Sequence, residues 1–185
     1  MHHGQKHYYN RQYSNIMVEL VTGVTLAARV AFFVVSYRGH KAESHKEDDR
    51  AVRTWIMETL NGIREHGTNI MTNAYRVNDT NLEREAKDII TLVDHFKNEV
   101  NMAVTGNIQP RLSKKSSADL ASLVDFDLKI IEKLNEVSKV GLEISEKSAT
   151  RSTSPKNLAG MKKGLTESRN YFRERTKFIG GIKNV

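Results

Sequence analysis

Apolar residues recur at steps of three and four along most of this 185-residue chain, and no stretch of useful length alternates them with polar ones. The clearest run is Leu82, Ala86, Ile89, Val93, Phe96, Val100 and Ala103, which alternates fours and threes and predicts a helix with one buried stripe. Ile56, Leu60, Ile63, Ile70, Ala74 and Val77 repeat the pattern, with Gly67 in the gap, and predict a helix from near Ser44 to about Val77. Ser44 with Glu47 and Thr80 with Glu83 have capping-box spacing, and Asn78-Asp79 separates the two segments. Gly106, Asn107 and Pro110 end the second run, and 107–117 is a non-periodic connection. Leu120, Leu123, Leu134, Val137 and Ile144 mark a further helix to about Lys147. After the polar stretch 148–154, Ser154-Pro155 places a cap before a proline at the first helical position. The last helix, to about Lys177, carries Leu158, Met161, Leu165, Phe172 and Ile179, with Ser168 interrupting the stripe.

A different pattern occupies Ile16–Tyr37, which predicts a helix apolar over most of its surface, with Gly39 as C-terminal cap. Val18, Val21, Val24, Val30, Phe32 and Val34 spread around it, while Asn15, Glu19, Thr22, Thr25, Arg29 and Ser36 share one narrow stripe. Its 22 residues would cross a bilayer core at about 1.5 Å each, but a charge near mid-span costs roughly 2.5–3.5 kcal/mol. The preferred reading is a helix central to a bundle; the alternatives are a conditional inserter and a stable span. An apolar N-terminal helix, basic patches and a helix after the bundle resemble, in architecture only, the four-helix executioner domains of the necroptosis pseudokinase and the fungal HeLo family. The resemblance transfers no residue.

Composition narrows the class. Only two prolines interrupt the chain, the apolar fraction is 38% and the charged fraction 28%, which suits amphipathic helices with solvated faces. The expected fold is all-α: an elongated bundle of four to five helices with a flexible N-terminal arm and a basic C-terminal helix. Residues 1–15 form the arm, 16–147 the bundle, and 148–185 a polar linker and the basic helix. With no cysteine there is no disulfide, thiolate metal site or cysteine nucleophile. Asn78-Asp79-Thr80 fits a glycosylation acceptor but is read as accidental, since no cleavable signal peptide is recognised ahead of it.

Charge changes the picture most. The formal net charge is +7, and residues 151–185 hold nine Lys/Arg against two Asp/Glu. Lys162, Lys163, Arg169, Arg173, Arg175 and Lys177 interleave with Tyr171, Phe172 and Phe178, while Lys6 and Arg11 sit among Tyr8, Tyr9 and Tyr13 in an arm without acids. Two basic ends around an apolar helix point to an anionic membrane surface, each surface Lys or Arg being worth about 1 kcal/mol. The expected role is a non-enzymatic, intracellular, peripheral membrane protein, with conditional insertion of the apolar helix. The alternative is a DNA- or RNA-binding or virion coat protein gripping phosphates with both ends, Tyr171 and Phe172 stacking on bases. A third reading docks the basic helix against the acidic middle of the same chain. The heptad faces also permit a homo-oligomer.

Candidate chemistry is thin. Met1-His2-His3 has the spacing of a Cu(II) chelate, but an accidental sequence is the stronger reading, and no metal or cofactor is expected. His66 and His95 adjoin Glu65 and Asp94 without the paired Glu-x-x-His of a bundle di-metal site, and His40 and His45 belong to a charged connection. Walker, dinucleotide, HExxH and GxSxG motifs are missing, and Glu83, Glu85 and Asp88 read as an exposed face. No catalytic residue is assigned. Trp55 is read as packing.

Overall fold

The computed structural model describes residues 44–103 and 117–180. The arm with Lys6 and Arg11, the apolar helix Ile16–Tyr37 with its valines and Phe32, and its expected place at a bundle centre all lie outside the described residues. The fold class is all-α: α1 (Ser44–Arg76), α2 (Thr80–Met102), α3 (Ser117–Ala149) and α4 (Ala159–Gly180), the last preceded by a 3-10 turn, Pro155–Leu158. No strand occurs among the described residues.

Both tight connections end a helix by the same device. Asn78 and Arg151 take left-handed φ angles of 59°. At the first, Asp79 N donates to Ala74 O (3.0 Å) and Asn78 N to Tyr75 O (3.1 Å); at the second, Ser152 N donates to Lys147 O (2.9 Å) and Arg151 N to Ser148 O (3.2 Å). This 6→1 with 5→2 pattern satisfies the last carbonyls of α1 and α3. The cap of α2 is Asp79 rather than Thr80, because the Asp79 carboxylate accepts from Leu82 N at 3.0 Å. Ser154 caps the 3-10 turn with its extended backbone (φ −133°, ψ 161°) but makes no side-chain cap bond; its hydroxyl donates instead to Asn157 Oδ1 at 2.7 Å.

α1 packs along both α2 and α3, α3 packs along α4, and α2 and α4 approach each other more sparsely. The short connections make each hairpin antiparallel. Direction across the hairpins follows from cross-links: Asn73 Nδ2 donates to Ser148 Oγ (3.0 Å) at one end, and Arg175 joins Asp49 to Asp127 at the other. Thus α1 runs parallel to α3, and α2 parallel to α4.

The stripes meet in one core. Ile56, Leu60, Ile63 and Ile70 of α1, Ile89, Val93 and Phe96 of α2, Leu134 of α3 and Met161 of α4 are fully buried, with Phe172 against Phe96 at a ring separation of 5.7 Å. Leu158 of the 3-10 turn and Leu165 of α4 belong to the same cluster, so the C-terminal helix is a wall of the core. Ser168, which interrupts the sequence stripe, is buried with its hydroxyl donating to Gly164 O at 2.8 Å. It sits one turn from Gly164, where an added Cβ would lie 2.4 Å from Val137 Cγ2. Small residues at this crossing let α4 close on α3. A smaller cluster of Leu123 and Ile179, with Val124 and Phe178 against it, lies at the far end beyond Arg175.

Candidate anion-binding surface

Six of the eight basic residues assigned to lipid or phosphate contact fall on α4, and four of these six are engaged by other helices. Lys162 Nζ donates to Glu85 Oε2 and to Asp88 Oδ2 of α2, each at 2.7 Å. One turn short of the end of α2, the Glu99 carboxylate accepts from two guanidiniums: Arg169 through Nε (2.9 Å) and Nη2, and Arg173 through Nε (3.0 Å) and Nη2 (2.6 Å). Partial burial pushes the Glu99 carboxyl up, but the two arginines outweigh it and hold it at about 2. Burial would lower the Lys162 ammonium; Asp88 and Glu85 more than offset that and raise it. Glu85 and Asp88, read from sequence as a merely exposed face, are therefore the partners of Lys162 on the basic helix.

Arg175 is not a surface contact. Its side chain is 2% exposed, Nη1 donates to Asp49 at 2.7 Å, and Nε and Nη2 (3.4 Å) donate to Asp127. Arg53 Nη2 closes the group on Asp49 at 2.8 Å, giving one buried and one partly buried cation against two buried carboxylates, from three helices. Burial pushes the Asp127 carboxyl up against the opposing pull of Arg175. Nothing in the sequence distinguished Asp49, Asp127 or Arg53; their signal is a position on the inward stripe, which a basic run conceals. Lys163, by contrast, is 79% exposed, with Glu167 at 3.9 Å, and Lys177 is half-exposed beside Glu174 at 2.9 Å.

The interleaved aromatics are also committed. Phe172 is buried on Phe96 and is not free to stack on a base, Tyr171 packs against the core with Lys129 Nζ 5.9 Å from its ring centre, and Phe178 meets Phe126 at 5.9 Å.

Residues 44–103 and 117–180 together contain twenty basic and twenty acidic residues, so their formal charge is zero. The whole +7 belongs to 1–43, 104–116 and 181–185. These segments join the helices at the start of α1, the end of α2, the start of α3 and the end of α4. All four junctions lie at the end of the bundle marked by Arg175.

Other chemistry is sparse. Trp55 packs against the core. His66 is half-buried, and burial lowers its imidazole against the opposing pull of Glu65. An open groove of about 610 Å³ is lined by Asn61, Arg64, Glu65, Thr68, Asp94 and Lys97, with Arg64 Nε donating to Asp94 at 2.9 Å across it. Among the described residues no three His, Asp or Glu side chains gather as a metal site, and no helix is long and apolar enough to cross a membrane. Comparison with protein-family models, curated proteins and solved structures finds no match.

Proposed function

We propose that this chain is a non-enzymatic helical-bundle protein that binds anionic membrane surfaces by one end, with conditional insertion of the apolar segment 16–37. The observation that carries the reading is the separation of charge: a neutral set of helices, and a net +7 confined to segments that join them at one end. Cations carried by segments that attach at one end of the helices can sum their attraction to an anionic surface, and an apolar segment in the same sequence supplies the second signal that stable anchoring takes. The contacts are Lys6, Arg11, Arg111, Lys114, Lys115 and Lys183, with the exposed Lys177 on the rim. Charge pairing within the bundle removes Lys162, Arg169 and Arg173 from this set.

Flotation with phosphatidylserine and phosphatidylcholine vesicles at low salt tests the reading, with duplex and single-stranded DNA offered under matched salt. The expected outcome is anionic-vesicle binding that Lys6→Gln, Arg11→Gln, Lys114→Gln and Lys115→Gln together reduce strongly, while Lys163→Gln leaves it nearly unchanged. Equal failure on both vesicle types sinks the reading, and so does binding to DNA without binding to vesicles.

A further inference from the structure

We propose that Arg169 and Arg173 form a phosphate-oxyanion site on α4 that Glu99 of α2 occupies as a built-in competitor. Two guanidiniums one helical turn apart, about 6 Å of rise, converge on a single carboxylate. Four N–H groups point at its two oxygens: Arg169 Nε and Nη2 and Arg173 Nη2 at Oε1, and Arg173 Nε at Oε2. Convergent planar forks are how arginine binds phosphate, and a carboxylate fills the same donors with one negative charge fewer than a phosphate dianion.

The arrangement is asymmetric along the seam. At its other end one cation, Lys162, is shared by two carboxylates; here two cations share one carboxylate, leaving a local excess of positive charge. The seam between α2 and α4 is also the sparsest helix contact of the four. Glu99 is about a quarter exposed and Arg173 about half, so Glu99 can leave by a change of rotamer without parting the core at Phe96 and Phe172. Glu99 keeps its charge at neutral pH, so acid does not release the site under ordinary conditions; a more highly charged oxyanion displaces it.

As regulation of surface binding, the inference rests on the reading under Proposed function, but the site itself is tested apart from it. Full-length wild type and Glu99→Gln are titrated with inorganic phosphate and, separately, floated with phosphatidylserine vesicles, circular dichroism confirming the helices. Glu99→Gln is expected to bind inorganic phosphate about tenfold more tightly than wild type, the scale of one charge-assisted contact. Adding Arg169→Gln and Arg173→Gln should abolish the gain. A matching gain on vesicles assigns the site to lipid headgroups; a gain on phosphate alone assigns it to a free phosphate and leaves vesicle binding to the bundle end. If Glu99→Gln, or Glu99→Ala should the first not fold, gains nothing on phosphate, the proposal is overturned, whatever wild type does with vesicles.

Discussion

Replacing Arg175 by methionine isolates the buried charge group at one end of the bundle. The substitution keeps an unbranched side chain and removes the countercharge of Asp127, whose side chain is 7% exposed. Asp49 keeps Arg53 at 2.8 Å, so the charge left without a partner is Asp127. Breaking a buried pair costs about 3–5 kcal/mol. An upper limit follows independently. Asp127 can escape by taking up a proton, which at pH 7 costs a carboxyl of ordinary value 3.8 about 4.4 kcal/mol, at ~1.36 kcal/mol per pH unit. At pH 5 the same escape costs about 1.6 kcal/mol. The sign is fixed: the folded variant binds a proton that the unfolded chain does not, so stability rises as pH falls. Urea unfolding at pH 7 and pH 5 should therefore show Arg175→Met losing about 3–4 kcal/mol at the first and under about 2 kcal/mol at the second. Adding Asp127→Leu leaves the balanced Asp49–Arg53 pair and should recover most of the loss and flatten the pH dependence. A loss below about 1 kcal/mol at pH 7, or a double variant as unstable and as pH-dependent as the single one, would refute the reasoning.

Glu99 has the opposite sign. Its folded value of about 2 lies below the ordinary 4.5, so its stabilisation is complete above pH 4.5 and is lost as pH falls toward 2. Screening at a partly exposed site limits that loss to about 1–2 kcal/mol, and Glu99→Gln should remove this part of the acid titration in urea melts. Gly164→Ala should destabilise by about 1–2 kcal/mol, the helix-propensity gain being outweighed by the 2.4 Å approach to Val137, and adding Val137→Ala should relieve the clash. A Gly164→Ala chain more stable than wild type in thermal melts would show that α3 and α4 separate easily. Gly62→Ala has open space around its Cβ and should stabilise by about 0.5–1 kcal/mol, read as a higher urea midpoint.

The 4-3 spacing of α2 was legible through Val100, since Leu82, Ala86, Ile89, Val93, Phe96 and Val100 are all buried as the period required, while Ala103, the last position of the run, falls just past the helix as its half-buried C-cap. Local punctuation was nearly as clear: Asn78-Asp79 marked the turn, although the side chain that caps α2 is one residue earlier than the capping-box pattern implied. Ser168 misled because a hydroxyl on an apolar stripe reads as a break; in the helix it bonds its own backbone at Gly164 and fills a crossing where a larger side chain would not fit. Charge was the least legible. Lys162, Arg169 and Arg173 find partners 70–77 residues away, and that offset follows from α2 and α4 lying parallel, which no local pattern encodes. Arg175 looked like its neighbours because one helical position separates a solvated arginine from a buried one.

The two short connections also set an order in time. Val77–Asp79 and the stretch after Ala149 bring α1 to α2 and α3 to α4 at little loop-closure cost, whereas the seam between α2 and α4 waits for 104–116 to bring the hairpins together. Contacts within a hairpin are thus expected in the folding transition state, with the distant ion pairs forming after it. Neutralising Glu85 or Asp88 should then leave the refolding limb of a chevron nearly unmoved and accelerate the unfolding limb. The seam governs how long the folded bundle persists, rather than how quickly it forms.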